Sequence, residues 1–158
     1  LNSGQLEMAL LYDLDLPASI EKTKLTALTP HAVLPPGHPL STQADVDIAD
    51  LAEEPFILLD VPPSREYFLG LFKSVGLEPN ILHSSPSLEL VRGLVGYGLG
   101  FSLLVTRPAS DMTYDGQQLS IRPLRNKFTK SSIVLAHHKD LRPTQLMTLF
   151  SNLAKSIM

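Results

Sequence analysis

The segment from Ser87 to Val105 constrains the fold of this chain more than any other, because it joins a helix to a strand through three glycines. Ser87 is suited to cap the helix, and apolar residues recur after it at helical spacing. The glycines begin at Gly96, and the apolar residues 101–105 then continue as a buried strand. A dinucleotide fingerprint has its glycines after a strand and before a helix, so that their N–H groups face phosphates. The order here is the reverse, which argues against a nucleotide site.

The composition is that of a folded domain, with 44% hydrophobic and 18% charged residues. The net charge is −3 and the chain has no run of Lys or Arg, so direct contact of this segment with nucleic acid is not expected. Because cysteine is absent, disulfides, thiolate catalysis and cysteine-based zinc sites are excluded, which fits a reducing compartment. The expected location is the cytoplasm. No apolar run reaches the roughly 18–20 residues of a membrane span, so no membrane association is expected.

Strand patterns alternate with helix patterns along the chain, which predicts an α/β fold with a largely parallel sheet. The segment 35–106 has the pattern of a self-contained βαβαβ unit. The segments 1–34 and 119–158 are predicted to belong to a second sheet that the chain leaves and re-enters. The segment 107–118 is predicted to be the return loop between them.

Two further helices are predicted from the spacing of apolar residues. Ser64 is predicted to cap a helix that ends near Val75. A final amphipathic helix is predicted from about Pro143. Its apolar stripe consists of Leu146, Phe150, Leu153 and Ile157.

The chain lacks the residue patterns of metal centres and of the common hydrolases. His137 and His138 are adjacent, and neighbouring side chains of a strand point to opposite faces, so the pair does not chelate one ion easily. No H-E-x-x-H or comparable spacing occurs, so no metal and no other cofactor is expected. Ser102 lacks the second glycine of the G-x-S-x-G elbow, and no carboxylate pair stands out as an acid/base couple. No catalytic residue is therefore assigned.

Five short phrases occur in a fixed order over nearly the whole chain. They are GQLEMAL (4–10), VLPPGHPL (33–40), LAEEPFIL (51–58), SLELVRGLV (87–95) and GLGF (98–101). In this order and spacing they resemble the effector-binding domain of LysR-type transcriptional regulators. The resemblance implies two Rossmann-like lobes joined by two crossovers, as in type 2 periplasmic binding proteins, with the first lobe incomplete in this chain.

The resemblance also implies a function and partners. A small molecule, which we expect to be an anionic metabolite, would bind between the lobes and shift how paired domains present distant DNA-binding heads. DNA would be contacted only through a helix-turn-helix that this chain lacks, and the assembly would be a homodimer or a homotetramer. Two alternatives remain open at this stage: a solute-binding protein of the same fold, and an enzyme built on that fold.

Effector contacts are predicted at two turns that precede helices. The resemblance places contacts at the turn that holds Ser85 and Ser87, where N–H groups and a hydroxyl can bind a carboxylate. At the second turn, Ser64 and Arg65 are candidates, with Arg65 able to add a charge-assisted pair. Phe101 is a candidate for the wall of the site. The alternatives are ordinary helix caps for the serines and a core position for Phe101, and these alternatives are favoured for Ser64 and for Phe101.

The helix that begins at Ser64 has a wider apolar face than one small lobe needs to bury. It carries Phe68, Leu69 and Phe72. Because the resembled family pairs its effector domains through a helix of each lobe, these three residues are predicted at a dimer interface. Simple core packing is the alternative, and Leu69 is the residue that distinguishes the two.

Overall fold

A computed structural model describes residues 1, 5–14, 16–128 and 130–157. The chain forms two compact units. Unit 1 combines Leu1–Leu28 with Lys130–Met158, and unit 2 is the continuous segment Thr29–Thr129. No helix in the described part of the chain is long and apolar enough to cross a membrane.

The elements follow one another in this order along the described residues. The strands and helices are β1 (Ala9–Tyr12), β2 (Ile20–Leu28), β3 (His31–Leu34), β4 (Pro55–Leu59), α1 (Ser64–Ser74), β5 (Asn80–Ser85), α2 (Leu88–Gly96), β6 (Ser102–Leu104), β7 (Ser120–Pro123), β8 (Ser131–His138) and α3 (Gln145–Ile157). Two short 3-10 helices, Pro39–Thr42 and Ile48–Leu51, lie between β3 and β4.

Unit 2 contains both parallel and antiparallel strand pairs. β3 pairs antiparallel with β6 on one side and with β7 on the other, whereas β4 and β5 are parallel. A parallel bridge between Phe56 and Phe101 connects β4 to the chain entering β6, and Ile57 N–H donates to the Phe101 carbonyl at 2.8 Å. The strands of unit 2 are therefore mixed in direction, and the prediction of a largely parallel sheet was wrong. An apolar run in the sequence predicts a buried strand but not the direction of that strand relative to its neighbours.

The boundaries of unit 2 differ from the predicted ones because β3 and β7 pair with each other. Both strands were assigned to the second sheet, in segments 1–34 and 119–158. In the structure β3 lies between β6 and β7 in one three-stranded sheet, so both β3 and β7 belong to unit 2. The predicted lobe 35–106 is consequently too short at both ends.

Helices cover unit 2 on both faces of β4. Phe56 and Leu58 point toward α1, in the cluster that includes Phe72, whereas Ile57 points toward α2 and packs with Val91. The Phe56 ring lies 5.4 Å from the ring of Phe72. Both faces of β4, the strand that precedes the turn to α1, are therefore buried.

The two helices of unit 2 begin differently. The Ser87 hydroxyl accepts a hydrogen bond from Leu90 N–H at 3.3 Å, which confirms Ser87 as the cap of α2. At the other end, Gly100 has φ +154°, and a Cβ there would lie 2.2 Å from the Pro55 carbonyl oxygen, so glycine is required. For α1 the cap position is Pro63, and no side chain caps the helix. The predicted capping role of Ser64 was wrong.

Unit 1 carries an antiparallel sheet in the order β1-β8-β2. Helix α3 forms as predicted, but it buries Met147 and Ala154. The side chains of the predicted stripe are instead 51 to 75% exposed. They are Leu146, Phe150, Leu153 and Ile157. Spacing located the helix but did not tell which apolar residues contact the rest of unit 1.

Candidate ligand-binding site

The carboxyl ends of β4 and β5 lie side by side in unit 2, because the two strands are parallel neighbours. Just beyond β4, Asp60 N–H donates to the Ser85 carbonyl at 2.8 Å. Helix α1 begins at Ser64 and α2 at Leu88, so both helices start at this edge of the sheet. The first N–H groups of a helix have no intrahelical acceptor and carry partial positive charge. This sheet edge therefore suits an anionic ligand.

The turn before α2 brings together the two predicted serines. Ser85 is buried, and its hydroxyl accepts from Ser87 N–H at 3.1 Å. Ser87 is exposed, and its hydroxyl accepts from Leu90 N–H. A hydroxyl that accepts one hydrogen bond still has its own proton to donate. Ser87 is thus placed to cap α2 and to donate to a ligand, whereas Ser85 orders the turn.

The turn before α1 contains a cation with a partner that sequence reasoning missed. Arg65 Nη1 lies 2.7 Å from Asp60 Oδ2, and both side chains are partly exposed. A pair of this kind contributes about 0–1 kcal/mol to stability, so a ligand carboxylate can compete with Asp60 for Arg65 at little cost. The available signal was an acidic residue directly after a buried strand and five residues before the arginine.

Two other residues that were predicted to contact the effector, Ser64 and Phe101, are partly or fully buried. Ser64 is half-buried, and its N–H donates to the Val61 carbonyl at 2.7 Å within the turn. Phe101 is fully buried, with its ring 5.1 Å from that of Phe56. Since it offers no surface to a ligand, the prediction that Phe101 lines the site was wrong, and its alternative as a core residue applies.

The predicted interface residues of α1 separate into two groups. Phe68 and Phe72 are buried in the core of unit 2, so they offer no surface to a partner. Leu69 is partly exposed and lines a groove of about 510 Å³ together with Ile81 of β5. Leu82, the next residue of β5, is also exposed. The apolar surface beside α1 therefore includes Leu69 and Ile81 and not the phenylalanines.

His31 is a further residue at this edge that sequence reasoning missed. It pairs with Leu104 at the end of β6, so it lies at the sheet edge where α1 and α2 begin. Burial of the ring lowers its pKa below the usual 6.5, against an opposing hydrogen bond to the Thr29 backbone. Its Nε2 is buried without a hydrogen-bond partner among the described residues. The only sequence signal was a histidine at the start of an apolar strand.

No group of three or more metal-ligating side chains occurs within residues 5–14, 16–128 and 130–157. The donor groups gathered at the sheet edge are hydroxyl, amide N–H and guanidinium groups. These groups can donate hydrogen bonds to an anion, and the carboxylate of Asp60 beside them is paired with Arg65.

Comparisons with known proteins agree on one family. A family model described as the LysR substrate binding domain matches residues 1–158. The uncharacterized HTH-type transcriptional regulator YnfL of Escherichia coli K12 is 36% identical over 110 residues, which are 68% of this chain and 36% of YnfL. The crystal structure of HinK, a LysR family transcriptional regulator from Pseudomonas aeruginosa, matches with a TM-score of 0.93 and 47% identity. That match covers 99% of this chain and 55% of the HinK chain, so the present chain spans about half of that protein.

A third solved structure contains a ligand. The effector-binding domain of BenM, a regulator of Acinetobacter baylyi, was solved with its effector benzoate. It matches with a TM-score of 0.78 and 21% identity, over 98% of this chain and 70% of that chain. At this level of identity the match shows a shared fold.

Proposed function

The chain belongs to the LysR family as a substrate-binding domain, and on that premise we propose that it senses a small anionic metabolite at the edge of unit 2 where α1 and α2 begin. The observation that carries the proposal is the convergence of donors on that edge. They are the N-terminal amides of both helices, the Ser87 hydroxyl and the Arg65 guanidinium. BenM supports it as a protein of the same fold whose effector, benzoate, is a carboxylate.

The relatives of the chain are transcriptional regulators and not enzymes, which decides between the alternatives left open by the sequence. In our proposal the whole protein is a regulator that acts in the cytoplasm and contacts DNA through a helix-turn-helix outside residues 1–158. The ligand acts by binding one arrangement of the protein more tightly than another, which shifts their populations. No group of this domain then needs to react chemically.

Pairing of the domain is a second part of the proposal. The partly exposed Leu69 of α1 and the exposed Ile81 of β5 line one groove, together with Leu77. Among the described strands, β5 has a single pairing partner, β4, so β5 is an edge strand. A second copy that covers this surface removes apolar area from water, which favours a homodimer or a homotetramer.

Calorimetric titration of the full-length protein tests the ligand assignment. The titrants are small monocarboxylates, beginning with benzoate, and each is paired with its neutral amide. We expect at least one carboxylate to bind and its amide to bind more weakly, because the amide lacks the charge that the helix N-termini and Arg65 favour. Loss of the Ser87 hydroxyl in Ser87→Ala is expected to weaken binding by about 1–3 kcal/mol if the hydroxyl bonds the charged group.

Two matched variants separate the capping role of Ser87 from its ligand role. Ser87→Thr keeps both the cap and the hydroxyl, so binding is expected to persist. Ser87→Asp keeps the cap, since Asp caps helices as well as Ser does, but it repels an anion. We expect Ser87→Asp to melt at the wild-type temperature and to lose carboxylate binding. Undiminished binding by Ser87→Asp would place the ligand elsewhere and contradict the assignment.

A further inference from the structure

A second groove of unit 2 lies where α2 meets the loop 107–118. Its volume is about 380 Å³, within the range of roughly 300–1,000 Å³ that is typical of small-molecule sites. Leu90 and Leu94 of α2 supply its apolar lining. The groove is lined by residues on α2 after its cap and by the loop, and it does not include Ser87 or Arg65. It is therefore distinct from the sheet edge proposed to bind the effector.

The two walls of the groove are fixed to each other. Arg92 is buried, and its guanidinium donates to the carbonyls of Ser110 and Met112 at 3.0 and 2.8 Å. On the groove itself, the Glu89 carboxylate accepts from Tyr114 N–H at 2.7 Å. These bonds join α2 directly to the backbone of the loop and hold the two walls of the groove together.

Aromatic side chains stand exposed beside this groove. Tyr114 is 94% exposed and Tyr97 is 64% exposed, and Leu90 next to them is also exposed. Exposed apolar side chains that are scattered singly over a surface are ordinary, whereas a cluster of them is typical of a binding site. A tyrosine ring also has a negative face that attracts cations.

The charge of the groove also favours a cationic ligand. Two carboxylates, Glu89 and Asp115, belong to the described lining, and no lysine or arginine does. Glu89 is offset in part by Arg92, whose Nε lies 3.8 Å away. Asp115 accepts hydrogen bonds from Thr113 and Tyr97, which lower its pKa and keep it ionised. A carboxylate thus remains charged beside two exposed aromatic rings.

We propose that this groove binds a small organic cation, an ammonium or guanidinium group on an apolar body. The cation pairs with Asp115 beside the rings of Tyr97 and Tyr114, and the apolar body lies along Leu90 and Leu94. The ligand is recognised by charge complementarity together with burial of its apolar part. The proposal does not depend on the effector assignment, because it uses different residues.

Gly93 makes a specific test possible. It lines the groove in the middle of α2, and a Cβ built on it meets no atom within 4 Å. A side chain at this position therefore projects into open space in the groove. Since Leu has a higher helix propensity than Gly, Gly93→Leu is expected to fill the groove without weakening α2.

The experiment is fluorine NMR of the full-length protein with 4-(trifluoromethyl)benzylammonium as the probe. The corresponding neutral alcohol is the control compound. We expect the ammonium to bind about two- to fivefold more tightly than the alcohol, the factor that an exposed ion pair with Asp115 supplies. Asp115→Asn is expected to remove this preference, Tyr114→Ala to weaken both compounds, and Gly93→Leu to abolish binding of both.

A competition experiment distinguishes this site from the sheet edge. An excess of a carboxylate that binds the wild type is expected to leave binding of the ammonium probe unchanged, and circular dichroism melts check that each variant is folded. Three results would overturn the proposal: no detectable binding of the ammonium probe, equal binding of the ammonium and the alcohol, or undiminished binding by a folded Gly93→Leu variant. If the carboxylate displaces the ammonium probe, the probe occupies the sheet edge, which also rejects the proposal.

Discussion

Ser87 shows how one side chain serves both the fold and the candidate site. Its hydroxyl accepts from Leu90 N–H as the cap of α2, and its position puts it at the sheet edge where donors converge. The cap was predictable, because a serine before a helical apolar pattern is a local signal. The pairing of Arg65 with Asp60 was not, because it depends on how the turn after β4 folds back on itself.

His31 is expected to make stability depend on pH. Burial lowers its folded-state pKa below 6.5, so the unfolded chain binds more protons below that pH. The contribution to stability is therefore full above the unfolded pKa of 6.5 and decreases as the pH falls below it toward the folded pKa. We expect His31→Leu to reduce the loss of stability between about pH 7 and about pH 5, because leucine does not titrate.

Urea unfolding of wild type and His31→Leu at several pH values measures this effect. The comparison uses the slope of the free energy of unfolding against pH, so a constant change in stability caused by the substitution does not matter. Equal slopes in the two proteins would show that His31 is not the group responsible. A steeper slope in His31→Leu would contradict the sign derived from burial.

At the scale of elements, α1 shows that a wide apolar helix face does not by itself predict a dimer interface. The helix was predicted to present Phe68, Leu69 and Phe72 at an interface. Packing instead places both phenylalanines in the core beside Phe56, and only Leu69 remains partly exposed. The groove that Leu69 lines also includes Ile81 of β5, an element that carried no sequence signal of its own for pairing.

Leu69→Glu is expected to impair pairing of the full-length protein, because it places a charge in the apolar surface of α1 and β5. Ile81→Glu, on β5, tests the same surface from a more exposed position and keeps the prediction testable if Leu69→Glu is unstable. Met112→Glu introduces the same charge at an exposed site outside this groove and serves as the control.

Light scattering gives the molar mass of each variant. Lower mass for both groove variants with native mass for Met112→Glu supports the pairing surface. Native mass for a folded Ile81→Glu variant would exclude it.

At the scale of the whole molecule, the two units differ in how far they cover their apolar surface. In unit 2, helices pack on both faces of β4. In unit 1, the described residues leave one side of α3 uncovered. The exposed side chains are Leu146, Leu149, Phe150, Leu153 and Ile157. Because an apolar surface of this extent associates in water, we expect the 158-residue chain to self-associate through α3.

Phe150→Lys tests this expectation, since it places a charge in the middle of the exposed side of α3. We expect it to lower the sedimentation coefficient of the 158-residue chain without changing its circular dichroism. Asn152→Lys adds the same charge at an exposed polar position of the same helix and should leave association unchanged. Equal association of Phe150→Lys and wild type would mean that another surface is responsible.

Local patterns were sufficient to locate α2, its cap and its glycine stop, and to identify the family from five short phrases. These features depend on residues close together in the chain, where a hydroxyl, a missing Cβ or a turn acts directly on its neighbours. Strand direction, the burial of Phe101 and the outward face of α3 depended on packing between distant segments. The same holds for the edge that joins Ser87 to Arg65, because two parallel strands had to bring their ends together before the donors could converge.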